Sequence, residues 1–382
     1  MENIQKMKNN QINTDIMQSR LDRGFERYQN EYEEAALRVL RSGWYVLGKE
    51  LSSFEEQFAS FIGTRYCIGV ASGLDALWLA FRVLGIKSGD EIIVQGNAYI
   101  ASVMGITING ATPVFVEPDS CYQIDVNQIE KKITGRTKAV LVVHLYGQPA
   151  RMDKVQALCR KHHLYLVEDC AQSHGASFNG QMTGSFGDIG CFSFYPSKNL
   201  GAFGDGGAVT TSDSELNRLL RIYRNYGSEK RYHNIVVGAN SRLDEIQAAL
   251  LKVKLSHLAE INEERTRLAR YYTEHINNPA LLLPQTEPGT TPVWHQYVVR
   301  TTAGRDNLKA YLENRGIHTL IHYPIPPHLA QAYQYLGLKE GDLPVTEQYS
   351  REILSLPIYN GMTRAEQDRV ITCINDWKGN IS

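Results

Sequence analysis

The chain has 382 residues, of which 43% are hydrophobic and 21% are charged, and its formal net charge is −1. This length suffices for two domains with large cores, and the composition is that of an ordinary globular protein. A charge so close to zero excludes, on bulk electrostatic grounds, an obvious nucleic-acid or membrane-surface partner.

The cysteines and the N-terminus indicate the compartment. The six cysteines are scattered without a C-x-x-C pair, at Cys67, Cys121, Cys159, Cys170, Cys191 and Cys373. This spacing predicts reduced cysteines rather than a disulfide framework or a metal site, so we expect a cytoplasmic protein without a bound metal. The polar opening MENIQKMKNNQINTD has no apolar signal segment, and we expect residues 1–15 to be a disordered extension.

The first two thirds of the chain alternate between helical and strand patterns. Residues 24–40 have helical spacing, and Ser52 and Ser53 are predicted to cap the next helix. Seven short apolar runs follow: CIGVA (67–71), EIIV (91–94), PVFV (113–116), AVLVVH (139–144), LYLVE (164–168), IGCFSF (189–194) and GAVTT (207–211). Apolar strands that alternate with helices predict an α/β fold whose mostly parallel, seven-stranded sheet is covered on both faces.

The last third differs in pattern. Residues 243–277 form a long helical pattern, and the segment LPQTEPGTTPV (283–293) resembles a connection. A strand at 295–300 and two later helices then predict a smaller α+β unit. We therefore expect a large domain over 16–255 and a small C-terminal domain over 256–382.

Polar residues with chemical potential follow two of the predicted strands. Glu168 and Asp169 end one buried run, and Lys198 follows the next in FSFYPSKNLGAFGDGG (192–207). A lone acid at a strand end is usually a solvated cap, but adjacent parallel strands bring their carboxyl ends to one edge, where active sites lie. Ser72 and Gly73 form a turn before a helix, whose first backbone N–H groups can bind a phosphate.

An acid, a lysine and a phosphate cradle together suit pyridoxal phosphate. This cofactor needs a lysine amine for its aldehyde, an aspartate for its pyridinium nitrogen and anchors for its phosphate. Burial can lower the pKa of the lysine far enough for its amine to react.

Three long motifs carry a resemblance to a known family: VEDCAQSHGA (167–176), GDIGCFSFYPSKNLGAFGDGGAV (187–209) and GANSRLDEIQAA (238–249). They resemble the DegT/DnrJ/EryC1/StrS sugar aminotransferases, which are fold-type I pyridoxal phosphate enzymes, and the similarity runs from SGWYVLG (42–48) to SLPIYNGMT (355–363). The resemblance implies that Lys198 is the cofactor-binding lysine, that Asp169 pairs with the ring nitrogen and that 16–255 is the cofactor domain. It further implies cofactor contacts from Gln172 and Tyr99 on the ring, from Ser193, Gly73 and Leu74 at the phosphate, and from Asn240 of a neighbouring subunit.

The same resemblance implies a homodimer with shared active sites and L-glutamate as amino donor. One departure concerns the phosphate: Leu74 stands where many members have Thr, so a hydroxyl contact is missing.

The substrate is indicated by three loops. GLDAL (73–77), YGSEKRYHN (226–234) and HYPIPPHLAQAY (322–333) resemble the subset that aminates C-3 of dTDP-3-keto-6-deoxyhexoses. This subset implies nucleotide-sugar contacts from Lys230, Arg231, Tyr232 and His233 on one loop and from His322, Tyr323 and His328 on another. A basic pair suits a pyrophosphate, whereas His328 could equally cap its own loop.

Three alternatives remain beside this prediction. The first is the same chemistry at C-4 of a nucleotide-linked 4-keto-6-deoxyhexose. The second is a pyridoxal phosphate sugar dehydratase, against which Lys198 argues because that branch has His in its place. The third is a non-catalytic regulator or scaffold, which the intact Lys198, Asp169, Gln172 and Ser193 disfavour.

Overall fold

The computed structural model describes residues 15–379. Its helices are α1 Leu21–Arg27, α2 Gln29–Ser42, α3 Lys49–Ile62, α4 Gly73–Val83, α5 Ile100–Thr107, α6 Val126–Ile129, α7 Met152–His162, α8 Ser214–Tyr223, α9 Glu245–Ser256, α10 Leu258–His275, α11 Arg305–Glu313, α12 Pro344–Glu352 and α13 Arg364–Asp376. Its strands are β1 Tyr66–Val70, β2 Glu91–Gln95, β3 Thr112–Val116, β4 Thr137–Val143, β5 Tyr165–Asp169, β6 Ser177–Phe178, β7 Gln181–Met182, β8 Ile189–Ser193, β9 Gly207–Thr211, β10 Ser228–Lys230, β11 His233–Asn234, β12 Thr290–Thr291, β13 Tyr297–Arg300 and β14 Ile353–Leu356. The predicted disordered extension lies, except for Asp15, outside the described residues.

A seven-stranded sheet in the order β1-β9-β8-β5-β4-β2-β3 forms the centre of the fold. Strands β8, β5, β4, β2 and β3 pair in parallel, whereas β9 is antiparallel to both β1 and β8. The predicted mostly parallel, seven-stranded sheet is therefore confirmed. Because β5 and β8 are parallel neighbours, with Asp169 opposite Cys191, both strands end at the same edge of the sheet.

Helices cover both faces of this sheet. In β2, Ile92 and Val94 pack into one core cluster with helices α4 and α5, whereas Ile93 packs into another on the opposite face. Alternate side chains of a strand point to opposite faces, so a strand buried on both sides is apolar throughout. This burial explains why the central strands appear in the sequence as continuous apolar runs.

The C-terminal part of the chain has a core of its own around the antiparallel pair β13–β14. Tyr272, Tyr297 and Trp377 are buried in this core. Ile16 forms a β-bridge with Ile317 and packs in the same core, although we predicted that the large domain would begin at residue 16.

Within residues 15–379, no helix combines the length and apolar character that crossing a bilayer requires.

Two helical predictions need correction. Helix α3 begins at Lys49, so the predicted cap at Ser52 and Ser53 is wrong. The carboxylate of Glu245 accepts hydrogen bonds from the N–H groups of Gly48, Glu50 and Leu51 at 2.8, 2.9 and 3.1 Å, and so caps this helix from a distant part of the chain. The long pattern over 243–277 is divided into α9 and α10, which meet at His257.

Candidate active site

A cavity of about 500 Å³ lies at the carboxyl ends of β4, β5 and β8. The turns that follow these strands and the starts of α4 and α5 supply most of its walls. Of the residues predicted from sequence, those that line it are Gly73, Leu74, Tyr99, Asp169, Gln172, Ser193, Lys198, His322 and Tyr323. The structure thus brings together the predicted lysine, acid and phosphate cradle in one place.

Asp169 is buried at the end of β5. The hydroxyl of Ser102 donates a hydrogen bond to Oδ2 at 2.7 Å, and the N–H of Ala171 donates to Oδ1 at 3.1 Å. Burial raises the pKa of Asp169, whereas these two hydrogen bonds and the charge of Lys198 act to lower it. Hydrogen bonds to both of its oxygens therefore fix the orientation of the carboxylate. A protonated ring nitrogen would pair with it.

Lys198 lies in the turn after β8, where its backbone N–H donates a hydrogen bond to the carbonyl of Tyr195 at 2.9 Å. Burial lowers the pKa of its amine to about 8, although the negative charge of Asp169 raises it. Near neutral pH a much larger fraction of this lysine is therefore unprotonated than of an exposed one. An unprotonated amine is the form that attacks an aldehyde.

The start of helix α4, the predicted phosphate cradle, lies at the wall of this cavity. Ser72 caps the helix: its hydroxyl accepts from the N–H of Asp75 at 3.1 Å. A Cβ atom on Gly73 would lie 2.5 Å from the Cβ of Ser193, so glycine lets the helix end approach the strand end this closely. The first-turn N–H groups of Gly73 and Leu74 then lie beside Ser193, in an arrangement that suits a phosphate.

Gln172 is held in place between two tyrosines. Its Oε1 accepts from the N–H of Tyr146 at 2.6 Å, and its Nε2 donates to the hydroxyl of Tyr323 at 3.1 Å. The ring of Tyr323 lies 4.8 Å from that of Tyr99, measured between centroids. The C-terminal segment therefore forms one wall of the cavity.

Glu168, the second acid of the predicted pair, does not line the cavity. Its oxygens accept from three N–H groups of the 184–187 turn at 2.8–2.9 Å, and one lies 3.0 Å from Nε2 of His144. The ligand-type atoms of His144, Glu168 and Cys170 lie within 4.8 Å of one another, but hydrogen bonds already engage the Glu168 oxygens. We interpret Glu168 as a buried structural anchor that holds this turn against β5.

Two residues that were not predicted from the sequence, Ser102 and His295, also line the cavity. Ser102 lies in the first turn of α5, shortly after Tyr99, which was predicted to contact the cofactor ring. This short separation along the chain was the sequence feature that could have pointed to Ser102. Nδ1 of His295 lies 3.2 Å from Oδ1 of Asn199. Burial and the charge of Lys198 lower the pKa of His295 well below its usual value, so its ring is neutral.

Several predicted contacts lie outside this cavity. Asn240 is exposed and forms a bridge with Asn225. The exposed hairpin β10–β11 carries the predicted basic loop, which consists of Lys230, Arg231, Tyr232 and His233. Within a single chain, none of these five residues lines the cavity.

His328 requires a correction. Its side chain is fully buried and its Nε2 lies 3.1 Å from Oε1 of Glu347, which also accepts from the N–H of Gly341 at 2.9 Å. This position fits the alternative in which His328 holds its own loop together, and not a contact with the sugar.

The cavity fits pyridoxal phosphate on four independent points. It offers an amine with a lowered pKa, a buried and oriented carboxylate, a helix N-terminus beside a serine, and the exposed ring of Tyr99. These match the aldehyde, the ring nitrogen, the phosphate and the ring face of the cofactor.

Comparisons with known proteins agree with this geometry. The sequence profile of the DegT/DnrJ/EryC1/StrS aminotransferase family matches residues 26–375. The dTDP-3-amino-3,6-dideoxy-alpha-D-galactopyranose transaminase of Aneurinibacillus thermoaerophilus is 53% identical over 350 residues, which cover 91% of this chain and 96% of the relative. The dTDP-3-amino-3,4,6-trideoxy-alpha-D-glucose transaminase of Streptomyces venezuelae is 48% identical over 359 residues, or 94% of either chain.

Among solved structures, the crystal structure of S. venezuelae DesV in complex with a ketimine intermediate superposes with a TM-score of 0.93. It is 48% identical, and the match covers 95% of this chain and 98% of that one. The chain belongs to the DegT/DnrJ/EryC1/StrS aminotransferase family, and it is a transaminase that uses pyridoxal phosphate.

Proposed function

We propose that this transaminase moves an amino group from L-glutamate to C-3 of a dTDP-3-keto-6-deoxyhexose. The product would be a dTDP-3-amino-3,6-dideoxyhexose for glycan or antibiotic-sugar biosynthesis. The observation that carries the transaminase chemistry is the placement of Lys198 and Asp169 at one cavity. The two relatives described above support the sugar, since their names specify 3-amino sugars on dTDP.

Lys198 is the residue that moves the proton. When bound, pyridoxal phosphate supplies an electron-withdrawing ring that stabilises negative charge on the carbon losing a proton. A pKa of about 8 lets the Lys198 amine both accept and return a proton close to neutral pH. The same group can therefore act as general base towards the donor and as general acid towards the sugar.

Asp169 maintains the charge on which that chemistry depends. An ionised carboxylate favours the protonated form of the facing ring nitrogen, and Ser102 favours the ionised carboxylate by donating a hydrogen bond to it. Ser102 is thus a positioning residue that acts through Asp169.

His322 and Tyr323 are the sugar contacts that we retain from the C-terminal loop. Both line the cavity, and Nδ1 of His322 lies 2.7 Å from the hydroxyl of Ser355. Burial and the charge of Lys198 lower the pKa of His322 to about 4, so its ring is neutral at pH 7 and suits hydrogen bonding to a sugar. On the proposed division into a cofactor domain over 16–255 and a small domain over 256–382, the sugar binds where the two meet.

We also propose a homodimer in which each active site is completed by its partner. Two exposed apolar stretches support this: Trp44 is 63% exposed within residues 44–47, and Val237 is 96% exposed within residues 235–237, which follow the basic hairpin. Exposed apolar surface of this kind marks interaction sites. A partner at this surface would explain why Asn240 and the basic hairpin lie outside the cavity of their own chain, and the hairpin would then face the nucleotide of the neighbouring site.

The described cysteines fit a cytoplasmic location. All six lack a disulfide partner, and five are buried.

The lowered pKa of Lys198 predicts how the apoprotein takes up its cofactor. The rate of covalent attachment of pyridoxal phosphate should rise with pH and level off with a midpoint near 8, because only the unprotonated amine reacts. Stopped-flow absorbance between pH 6 and 11 measures this rate, with Nα-acetyllysine as the exposed-lysine reference. A midpoint as high as that of the reference would contradict the effect of burial.

The role of Ser102 is tested by cofactor affinity. Ser102→Ala removes a hydrogen bond to the ionised form of Asp169, which raises the pKa of that carboxyl further, so the apoprotein should bind pyridoxal phosphate about tenfold more weakly. Ser102→Thr keeps the hydroxyl and should keep the affinity. Absorbance titrations at several pH values measure the constants, and equal affinity of the alanine variant and the wild type would refute the proposed role.

Product analysis tests the position of amination. Purified protein, L-glutamate and either a 3-keto or a 4-keto dTDP-6-deoxyhexose are incubated, and NMR locates the new amine. We expect an amine at C-3, and Lys198→Ala protein with an unchanged circular dichroism spectrum should give no product. An amine found solely at C-4 would overturn the proposed regiochemistry in favour of the C-4 alternative.

Subunit mixing tests the shared active site. Lys198→Ala and Asn240→Ala proteins should each have little activity. After unfolding and refolding together in equal amounts, the mixture should recover about a quarter of wild-type activity, since half of the dimers are hybrids and each hybrid has one intact site. Recovery no greater than the sum of the separate variants would mean that Asn240 does not act across the interface.

A further inference from the structure

A second cavity, of about 320 Å³, lies against the turn that carries Lys198. It is enclosed by helix α1, by residues 196–203 and by the 359–361 turn, together with side chains from α9 and α10. It shares Ser197 and Lys198 with the cofactor cavity, and the mechanism above assigns it no role.

Lys254, in the last turn of α9, lines this second cavity. Its ammonium makes one long hydrogen bond, 3.4 Å to the carbonyl of Gly201. Within the described part of the chain, Lys254 forms no ion pair with a carboxylate, and burial together with the positive charge of Arg265 lowers the pKa of its amine to about 8. Lys254 and Arg265 are therefore two cations that line the same cavity.

Arg265 lines the same cavity and is 6% exposed. Its Nε and Nη2 donate to the carbonyls of Trp294, His295 and Ile358 at 2.8–3.1 Å, which are neutral acceptors. Its Nη1 makes a bond of 3.4 Å to Oδ1 of Asn360, and this loose contact leaves room for a stronger acceptor.

The other arginines of the cavity wall are already paired. Arg20 pairs with Asp22, Arg23 with Glu366, and Arg27 with Glu264. Glu264 is the acid next to Arg265, but its oxygens are engaged by Arg27, by the amide of Asn360 and by the N–H of Gly361.

The positive charge of Lys254 and Arg265 therefore lacks a full counterpart in the wall. Buried charges are costly unless they are paired, so an anion held between these two side chains would be stabilised strongly.

We propose that this cavity is an anion site in which Lys254 and Arg265 bind a compact oxyanion, either a carboxylate or a phosphate. A volume of about 320 Å³ accommodates inorganic phosphate or a small dicarboxylate. Because Lys254 contacts Gly201 and the wall includes Ser197 and Lys198, an occupied site would brace the turn that presents the catalytic amine.

Inorganic phosphate is the first probe, and it is added to the holoenzyme so that the cofactor already fills the phosphate cradle at α4. At constant ionic strength, phosphate should raise the melting temperature of the wild type, and calorimetry should give a dissociation constant. Lys254→Met should weaken phosphate binding about tenfold or more, and Lys254→Arg should retain it. Lys131→Met, at an exposed lysine elsewhere, is the matched control and should behave as the wild type.

Stability without anion separates binding from a structural role. Lys254→Met removes an uncompensated cation, so in phosphate-free buffer it should be at least as stable as the wild type. If the variant is instead less stable and its response to added anion equals that of the wild type, Lys254 is structural and the site is refuted.

A parallel titration with 2-oxoglutarate distinguishes the two sources of the oxyanion. This keto acid also enters the cofactor cavity under the proposed function, so the shift to be compared is the part lost in Lys254→Met. A Lys254-dependent shift with 2-oxoglutarate alone assigns a carboxylate ligand, and one with phosphate alone assigns a phosphate. Absence of a Lys254-dependent shift with both probes overturns the proposal.

Discussion

The parallel pairing of β5 with β8 is the constraint on which the active site depends. It places the ends of both strands at one edge, so that Asp169 and the turn carrying Lys198 open into the same cavity. Burial there disfavours the charged form of both groups, since it raises the pKa of the acid and lowers that of the amine. The negative charge of Asp169 favours the protonated form of Lys198, and the positive charge of Lys198 favours the ionised form of Asp169. Asp169 would pair with the ring nitrogen of the cofactor, and Lys198 would react with its aldehyde.

Residues outside the chemistry maintain this edge of the sheet. Glu168 fastens the 184–187 turn beside β5, and Gly73 lets the start of α4 approach Ser193. Gly207 has a similar function, because a Cβ atom there would lie 2.3 Å from the carbonyl oxygen of Ser72. The acid, the lysine and the phosphate cradle thus depend on close backbone contacts between strands and turns.

Much of the architecture follows from local pattern. Strand Gly207–Thr211 has the bounds predicted from sequence, because its apolar run and the flanking turn residues specify it locally. The start of α3 could not be predicted, since its cap is Glu245 from a distant part of the chain. Likewise, Ser102 and His328 owe their environments to tertiary contacts, with Asp169 and Glu347 respectively. Local sequence patterns carry no information about contacts across a subunit interface. The contact of Asn240 with the cofactor of a neighbouring subunit therefore stays a prediction.

The central claim is that Lys198 is the amine that binds the cofactor aldehyde, and chemical trapping tests it directly. The purified holoenzyme is reduced with borohydride, digested and analysed by mass spectrometry, with Lys254 as an internal comparison because burial lowers the pKa of that lysine to about 8 as well. We expect one phosphopyridoxyl group per chain, on the peptide that contains Lys198. A label on another lysine, Lys254 included, or a protein that carries no chromophore would contradict it.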